Sequence, residues 1–265
     1  MSDMTFSFDL ISDLHLESWT QDFNWNNHAT SPWCVVAGDV CRDHQLLKNT
    51  MQHLAQCYQG VFYIDGNDEH YGRYQTMAKN YRDIQKLLKP LNNVVFLQDN
   101  VVILEDTAIL GTNGWWSFDF DSDIGTQEVI EWWCKTYNLS SDIVEIIRMA
   151  SARDAVYLHR SLLRLQTESV KHIVIVTHTV PYHKIIRHDI DLADKCSFNV
   201  MGSNQLMSAF NEDLANKVHT WCFGHYHGSI DQIHHGVRFV NNCRGRSNSP
   251  YKKSVFHPLR IEISD

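Results

Sequence analysis

Apolar residues along this chain follow two rhythms. Short β-branched or aromatic runs predict strands at 5–11, 34–37, 61–64, 173–176 and near 218–223. Apolar residues three and four apart predict helices at 44–58, 74–88, 126–137 and 141–168. Leu46, Leu47, Met51 and Leu54 mark the first of these, with Gly60 as its stop, and Pro90 closes the second. Strand and helix alternate through the first third of the chain, the pattern of parallel βαβ units in an α/β fold. Three further strands at 94–97, 101–104 and 107–111, joined by short turns, predict a local antiparallel meander. A helix is expected at 203–215 and strands with turns across 230–263, while 18–32 and 179–200 carry no period.

No repeat, low-complexity tract or linker interrupts these elements. The expectation is one domain over 1–265 with a mostly helical insertion at about 115–168. The aromatic lead-in to that insertion (Trp115, Trp116, Phe118, Phe120) reads mainly as packed core, with Trp115 and Trp116 placed to wall a pocket. Apolar content of 43% and charged content of 20% describe an ordinary soluble globular chain. A formal net charge of -8 argues against a sequence-independent grip on nucleic acid, which needs basic patches. Seven cysteines without a Cys-x-x-Cys pair suit free thiols in a reducing compartment. With no long apolar run and no basic-then-apolar leader, a cytoplasmic protein with no membrane partner is expected. Oligomeric state has no signature in the sequence.

Chemistry gathers where strands stop. Five apolar runs end at Asp13 with His15, at Asp39, at Asn67, at His178, and at His225 with His227. Carboxyl ends of strands are where open α/β sheets bind ligands, and residues i and i+2 of an extended segment point the same way. Asp-x-His and His-x-His can therefore each present two ligands to one spot. Glycine before Asp39, Asn67 and His225 lets the backbone approach closely. Carboxylate, imidazole and amide oxygen without thiolate favour manganese, iron or zinc. Seven ligands exceed the needs of one ion with open positions and suit two divalent ions. At about 3.5 Å two such ions repel by roughly 19 kcal/mol at an effective dielectric of 20, so an anionic bridge is required. Asp39, alone in its loop, is the candidate bridge, with a hydroxide between the ions as nucleophile. Arg42, three residues beyond, is a candidate phosphate contact, and His183 and His188 sit in the loop after His178 as candidate substrate contacts.

Singly, each motif is weak; five in this order are not. Asp13-Leu14-His15, Gly38-Asp39, Gly66-Asn67-Asp68-Glu69, Thr177-His178 and Gly224-His225-Tyr226-His227 resemble the five motifs of the calcineurin-like metallophosphoesterases, over about residues 5–245. That resemblance implies a four-layer α/β/β/α sandwich of mixed sheets. It implies that Asp13, His15, Asp39 and His227 hold one metal ion, and Asp39, Asn67, His178 and His225 the other. The reaction implied is hydrolysis of a small phosphoester, monoester or diester, by in-line attack.

One position departs from the family pattern. Where the family carries a histidine thought to steady the transition state or protonate the departing oxygen, this chain has Asp68. A carboxylate beside two dications stays ionised and donates nothing. Three readings stay open. His70 takes over as acid, the substrate has a leaving group needing little help, or the chain keeps its metals for binding alone. Asn67, Asp68 and His70 are thus the catalytic candidates. A metal-binding scaffold without turnover, or a nuclease, are the rival functions.

Overall fold

The computed structural model describes residues 6–20, 25, 27–120, 124–186 and 195–264. Neighbouring side chains of a strand face opposite ways, so each apolar run feeds two cores. In β1 (Phe6–Ile11), Phe8 and Leu10 point to one core and Ile11 to the other. In β2 (Trp33–Ala37), Val35 and Ala37 oppose Cys34 and Val36 in the same way. Asp43 caps α1 (His44–Cys57) by accepting from the Leu46 amide at 2.7 Å, and the helix lays Leu47, Met51 and Leu54 on the outer face of the sheet. β3 (Gly60–Ile64) divides as β2 does, and α2 (Met77–Leu88) adds Ile84 and Leu88 to the outer core. β1, β2, β3 and β4 (Val94–Phe96) run parallel.

The strands expected as one antiparallel meander divide between two sheets. β4 pairs with β3 in the first sheet, whereas β5 (Asn100–Leu104) and β6 (Thr107–Gly111) form an antiparallel pair in a second one. The crossing is short: the Leu97 amide still donates to Tyr63 of the first sheet, and the Asp99 amide already donates to Gly111 of the second. A hairpin and a change of sheet look alike in sequence, because both are two apolar runs around a polar turn.

α3 (Thr126–Tyr137) and α4 (Ser141–Leu165) follow. The first half of α4 packs Ile143, Val144 and Ile147 into an aromatic cluster with Trp115, Trp116, Phe118 and Trp133. Its second half lays Leu158, Leu162 and Leu165 on the outer face of the second sheet, beside Ile173 and Ile175 of β7 (His172–Val176) and Trp221 and Phe223 of β8 (Val218–Phe223). Part of the segment expected as an insertion is therefore the fourth layer. The helix expected at 203–215 is a short turn at Asn204–Met207 and a tighter one at Ser208–Glu212. Asp213 ends it by accepting from the amides of Lys217 and Val218, which turns the chain into β8.

β9 (Asp231–His234) closes the edge of the second sheet against β10 (Val237–Asn241), and β11 (Leu259–Ile263) pairs antiparallel with β1. The orders are β11-β1-β2-β3-β4 and β5-β6-β7-β8-β10-β9. Between the sheets lies a core of Phe8, Leu10, Val35, Phe62, Ile109, Val174, Val176 and Val240. Helix, sheet, sheet, helix: the four layers are as expected. Among the described residues no helix is long and apolar enough to cross a membrane, and the seven cysteines form no disulfide.

Candidate metal centre

The parallel strands of both sheets bring their carboxyl ends to one edge, where the backbone is unusually bent. Asp13, His15, Asp39 and His225 all have positive φ, at 49°, 43°, 51° and 63°. Side chains other than glycine rarely adopt this left-handed region, and such positions persist only where surrounding structure holds them. The close approach anticipated at the glycines is real. A Cβ on Gly66 would lie 2.1 Å from Asp39 Oδ1, and one on Gly38 would lie 2.4 Å from His178 Nδ1.

The chain folds the seven candidate ligands into two abutting groups. Asp13, His15 and His227 have ligand atoms within 4.8 Å of one another, and so do Asp39, His178 and His225. Asp39 faces both: Oδ2 is 3.8 Å from His15 Nε2, and Oδ1 is 3.4 Å from His178 Nε2. Asn67 completes the second group, its Oδ1 3.1 Å from His178 Nε2. His227 Nε2 lies 3.2 Å from Asp13 Oδ1 and 3.0 Å from His15 Nε2.

Three imidazoles have one nitrogen committed behind them. His178 Nδ1 donates to the Ala37 carbonyl at 2.9 Å, and His225 Nε2 to the Val200 carbonyl at 3.2 Å. His15 Nδ1 faces Asp68 Oδ2 at 3.0 Å. Such bonds fix the tautomer of each ring in its neutral form, in which the opposite nitrogen turns a lone pair toward the interior. Trp116 stacks on the His225 ring at 5.7 Å and 16°. Oxygen and imidazole donors, converging and oriented from behind, fit a pair of borderline divalent cations.

Charge around the cluster agrees with this. Burial works against ionisation of Asp13, but the bond from His227 and the charge of His178 hold it well below the usual carboxylate range. Burial favours neutral His178, yet Asp39 outweighs it and lifts that ring to about 10. Burial and His178 together push His225 down to about 4. Four backbone amides, those of Asp39, Val40, Cys41 and Gly66, donate to the buried Glu69 carboxylate at 2.7 to 3.3 Å. Glu69 so staples the loop of Asp39 to the loop of Asn67.

Other expected site residues fall elsewhere. Asp68 stands at the edge of the cluster, bonded to His15, while its own amide donates to Asp39 Oδ1 at 2.7 Å. Arg42 sits beside it, Nη2 3.3 Å from Asp68 Oδ1. His70 is not brought to the centre. The tight turn at Asp68–His70 rolls its ring into the core, where Nε2 donates to Asp65 at 2.5 Å and Nδ1 accepts from Asn80 at 3.1 Å. His183 is held by Asn204 and by the rings of Phe120 and Tyr182, none of them a candidate ligand. His188 lies outside the described residues. Trp115 is core, its indole donating to the Tyr81 hydroxyl at 2.7 Å.

One residue absent from the sequence reading stands at the centre's rim. Arg246 Nη2 is 2.5 Å from Asp68 Oδ2. Its signal was the Arg-Gly-Arg stretch at 244–246, just behind the end of another apolar strand.

No protein-family model matches the chain. A protein of Acanthamoeba polyphaga mimivirus described as uncharacterized is 20% identical over 271 residues, 94% of this chain and 93% of that one. The crystal structure of the phosphopantetheinyl hydrolase PptH of Mycobacterium tuberculosis superposes with a TM-score of 0.66 at 17% identity, over 93% of each chain. GAP50, the anchor in the inner membrane complex of Plasmodium, superposes at 0.52 and 12% identity, over 98% of this chain and 81% of that one. At these identities the likeness is one of fold.

Proposed function

Given that this chain has the metallo-dependent phosphatase fold, we propose that it hydrolyses a small phosphoester at a centre holding two divalent metal ions. The single observation carrying this reading is the pair of ligand groups that meet at Asp39. When bound, manganese, iron or zinc ions would supply Lewis acidity to the phosphoryl group and activate water near neutral pH. Asp13, His15, Asp39 and His227 would hold one ion, and Asp39, Asn67, His178 and His225 the other.

The chain's own residues do the rest. Asp39 places negative charge between the two groups, which lowers the repulsion of paired dications. The Ala37 and Val200 carbonyls and the Asp68 carboxylate hold His178, His225 and His15 with their free nitrogens inward. Glu69 keeps the Asp39 and Asn67 loops at fixed separation. Asp68 is an unsuitable proton donor. Burial opposes its charge, yet the His15 bond and the guanidinium groups of Arg246 and Arg42 hold it well below the usual carboxylate range. With Asp68 and His70 both committed, the departing oxygen has no acid from this loop. That favours esters with weakly basic leaving groups, such as aryl or nucleotide-type diesters.

PptH is a phosphopantetheinyl hydrolase by its description, so a phosphopantetheinyl phosphoester joins the substrate set as the contrasting alkyl leaving group. The test is a metal-by-substrate screen with mono-aryl, bis-aryl and phosphopantetheinyl phosphoesters. Turnover that disappears with chelator and returns with Mn²⁺ is expected. No turnover on any ester with any ion would leave the metal-binding scaffold as the better reading.

A further inference from the structure

Asp68 introduces a negative charge at the rim of a centre that must receive a phosphate, and the structure surrounds that charge with arginine. Arg246 Nη2 approaches Asp68 Oδ2 at 2.5 Å, and Arg42 Nη2 approaches Oδ1 at 3.3 Å. The same Oδ2 faces His15 Nδ1 at 3.0 Å, so the two guanidinium groups are one carboxylate away from a candidate metal ligand. Glu17 stands between them less tightly, 3.8 Å from Arg42 Nε and 4.0 Å from Arg246 Nη1, both beyond hydrogen-bonding reach.

The arginines are placed from opposite sides. Arg42 leaves the loop after β2, lies over the Tyr71 ring at 3.7 Å and is steadied by Arg73, which donates to its carbonyl at 3.2 Å. Arg246 sits in the loop after β10, and that loop is laced to the segment bearing Asp13 and His15. The amides of Arg244 and Gly245 donate to the carbonyls of Ser12 and Asp13 at 3.1 and 2.9 Å. Trp19 Nε1 donates to the Gly245 carbonyl at 3.2 Å, and the Ser247 amide to Ser18 Oγ at 3.1 Å. Gly245, at φ 79°, gives the turn its left-handed step.

Donors remain for a ligand. Both side chains keep about a third of their surface in solvent, 36% for Arg42 and 31% for Arg246. Two guanidinium charges balance Asp68 and Glu17, so the rim adds no net repulsion for an approaching phosphate. His15, Glu17 and Asp68 also form a grouping with metal-like spacing, but the arginines already supply its cations.

We infer that Arg246 and Arg42 are substrate-binding residues, a guanidinium pair that receives the anionic oxygens of the phosphoester, with Asp68 as the positioning residue that spaces them. Planar guanidinium forks suit phosphate oxygens, and their charge is permanent. This inference rests on the phosphoester reading, and the two are separable by experiment.

The probe is inorganic phosphate, titrated by calorimetry into manganese-loaded wild type, Arg246→Ala, Arg246→Lys and Arg42→Ala, with bound manganese counted in each. Arg246→Ala is expected to weaken phosphate roughly tenfold or more, the value of one charged hydrogen bond. Arg42→Ala should weaken it in the same direction, Arg246→Lys should recover part of the loss, and manganese content should match wild type throughout. Phosphate affinity within twofold of wild type in both alanine variants overturns the inference, as does a loss that tracks manganese content. If wild type binds phosphate through these arginines yet hydrolyses no ester, the hydrolytic reading fails and the cradle stands. If wild type hydrolyses esters while the variants keep full phosphate affinity, the cradle fails alone.

Discussion

His15 Nδ1 and Asp68 Oδ2 are 3.0 Å apart, and that bond turns His15 Nε2 toward Asp13, Asp39 and His227. The proposed role of Asp68, at the position where the family that the motifs resemble carries a histidine, is therefore to orient a candidate ligand. Asp68→Ala should lower affinity for one of two bound ions by about 10- to 100-fold, the usual effect of losing a carboxylate behind a ligating imidazole. A chelator-competition titration measures this, and wild-type affinity in the variant would refute the role.

His70 is a structural residue bonded at both nitrogens inside the core. His70→Ala leaves Asp65 and Asn80 without it and should cost about 1–3 kcal/mol or more in chemical denaturation. The shape of the pH–rate profile should stay as in wild type. Loss of a basic limb with unchanged stability would instead mark His70 as an acid.

The seven candidate ligands were legible because each follows an apolar strand, and parallel strands deliver their ends to one edge. Unbroken apolar runs also marked β2 and β7 as buried strands, and in the structure each feeds two cores. What escaped notice depends on turns. Asp68 and His70 are two positions apart, a spacing that would align them in a strand, but a tight turn sends one side chain to the rim and the other into the core. Arg246 gains its place from the bonds its neighbours Arg244, Gly245 and Ser247 make to Ser12, Asp13 and Ser18, more than 220 positions away, which no local pattern records. The move from the first sheet to the second at residues 97–99 was hidden for the same reason.

Ion uptake should release protons. In the ion-free chain Asp39 lifts His178 to about 10, against the opposing effect of burial, so this ring is protonated at pH 7 and must lose its proton to act as a ligand. His227 is also raised, while His225, pushed down to about 4, has no proton to give. Metal affinity should thus climb with pH across the neutral range. In the ion-free protein, the stabilisation from charged His178 is fully present below about pH 6.5 and lost as pH rises through about 10. Calorimetry of Mn²⁺ binding in buffers of different ionisation enthalpy should report about one proton or more released per chain at pH 7. Proton uptake would contradict the assignment.

Gly66→Ala tests the close approach. The new Cβ would fall 2.1 Å from Asp39 Oδ1 and 2.5 Å from the Asp39 amide nitrogen, so either the carboxylate or the loop must move. Metal content should fall in a variant that still folds, whereas Gly125→Ala, where nothing lies within 4 Å of the added Cβ and φ is negative, should retain its metal. Equal metal content in the two would show that Asp39 has no fixed place.

The proposed two-ion centre requires Asp39 to serve both ligand groups, and counting ions per chain tests that most directly. Elemental analysis of manganese-loaded, gel-filtered wild type beside Asp39→Asn should find two ions in the first and joint loss of both in the second. One ion in wild type, or an Asp39→Asn variant that still carries two, would contradict it.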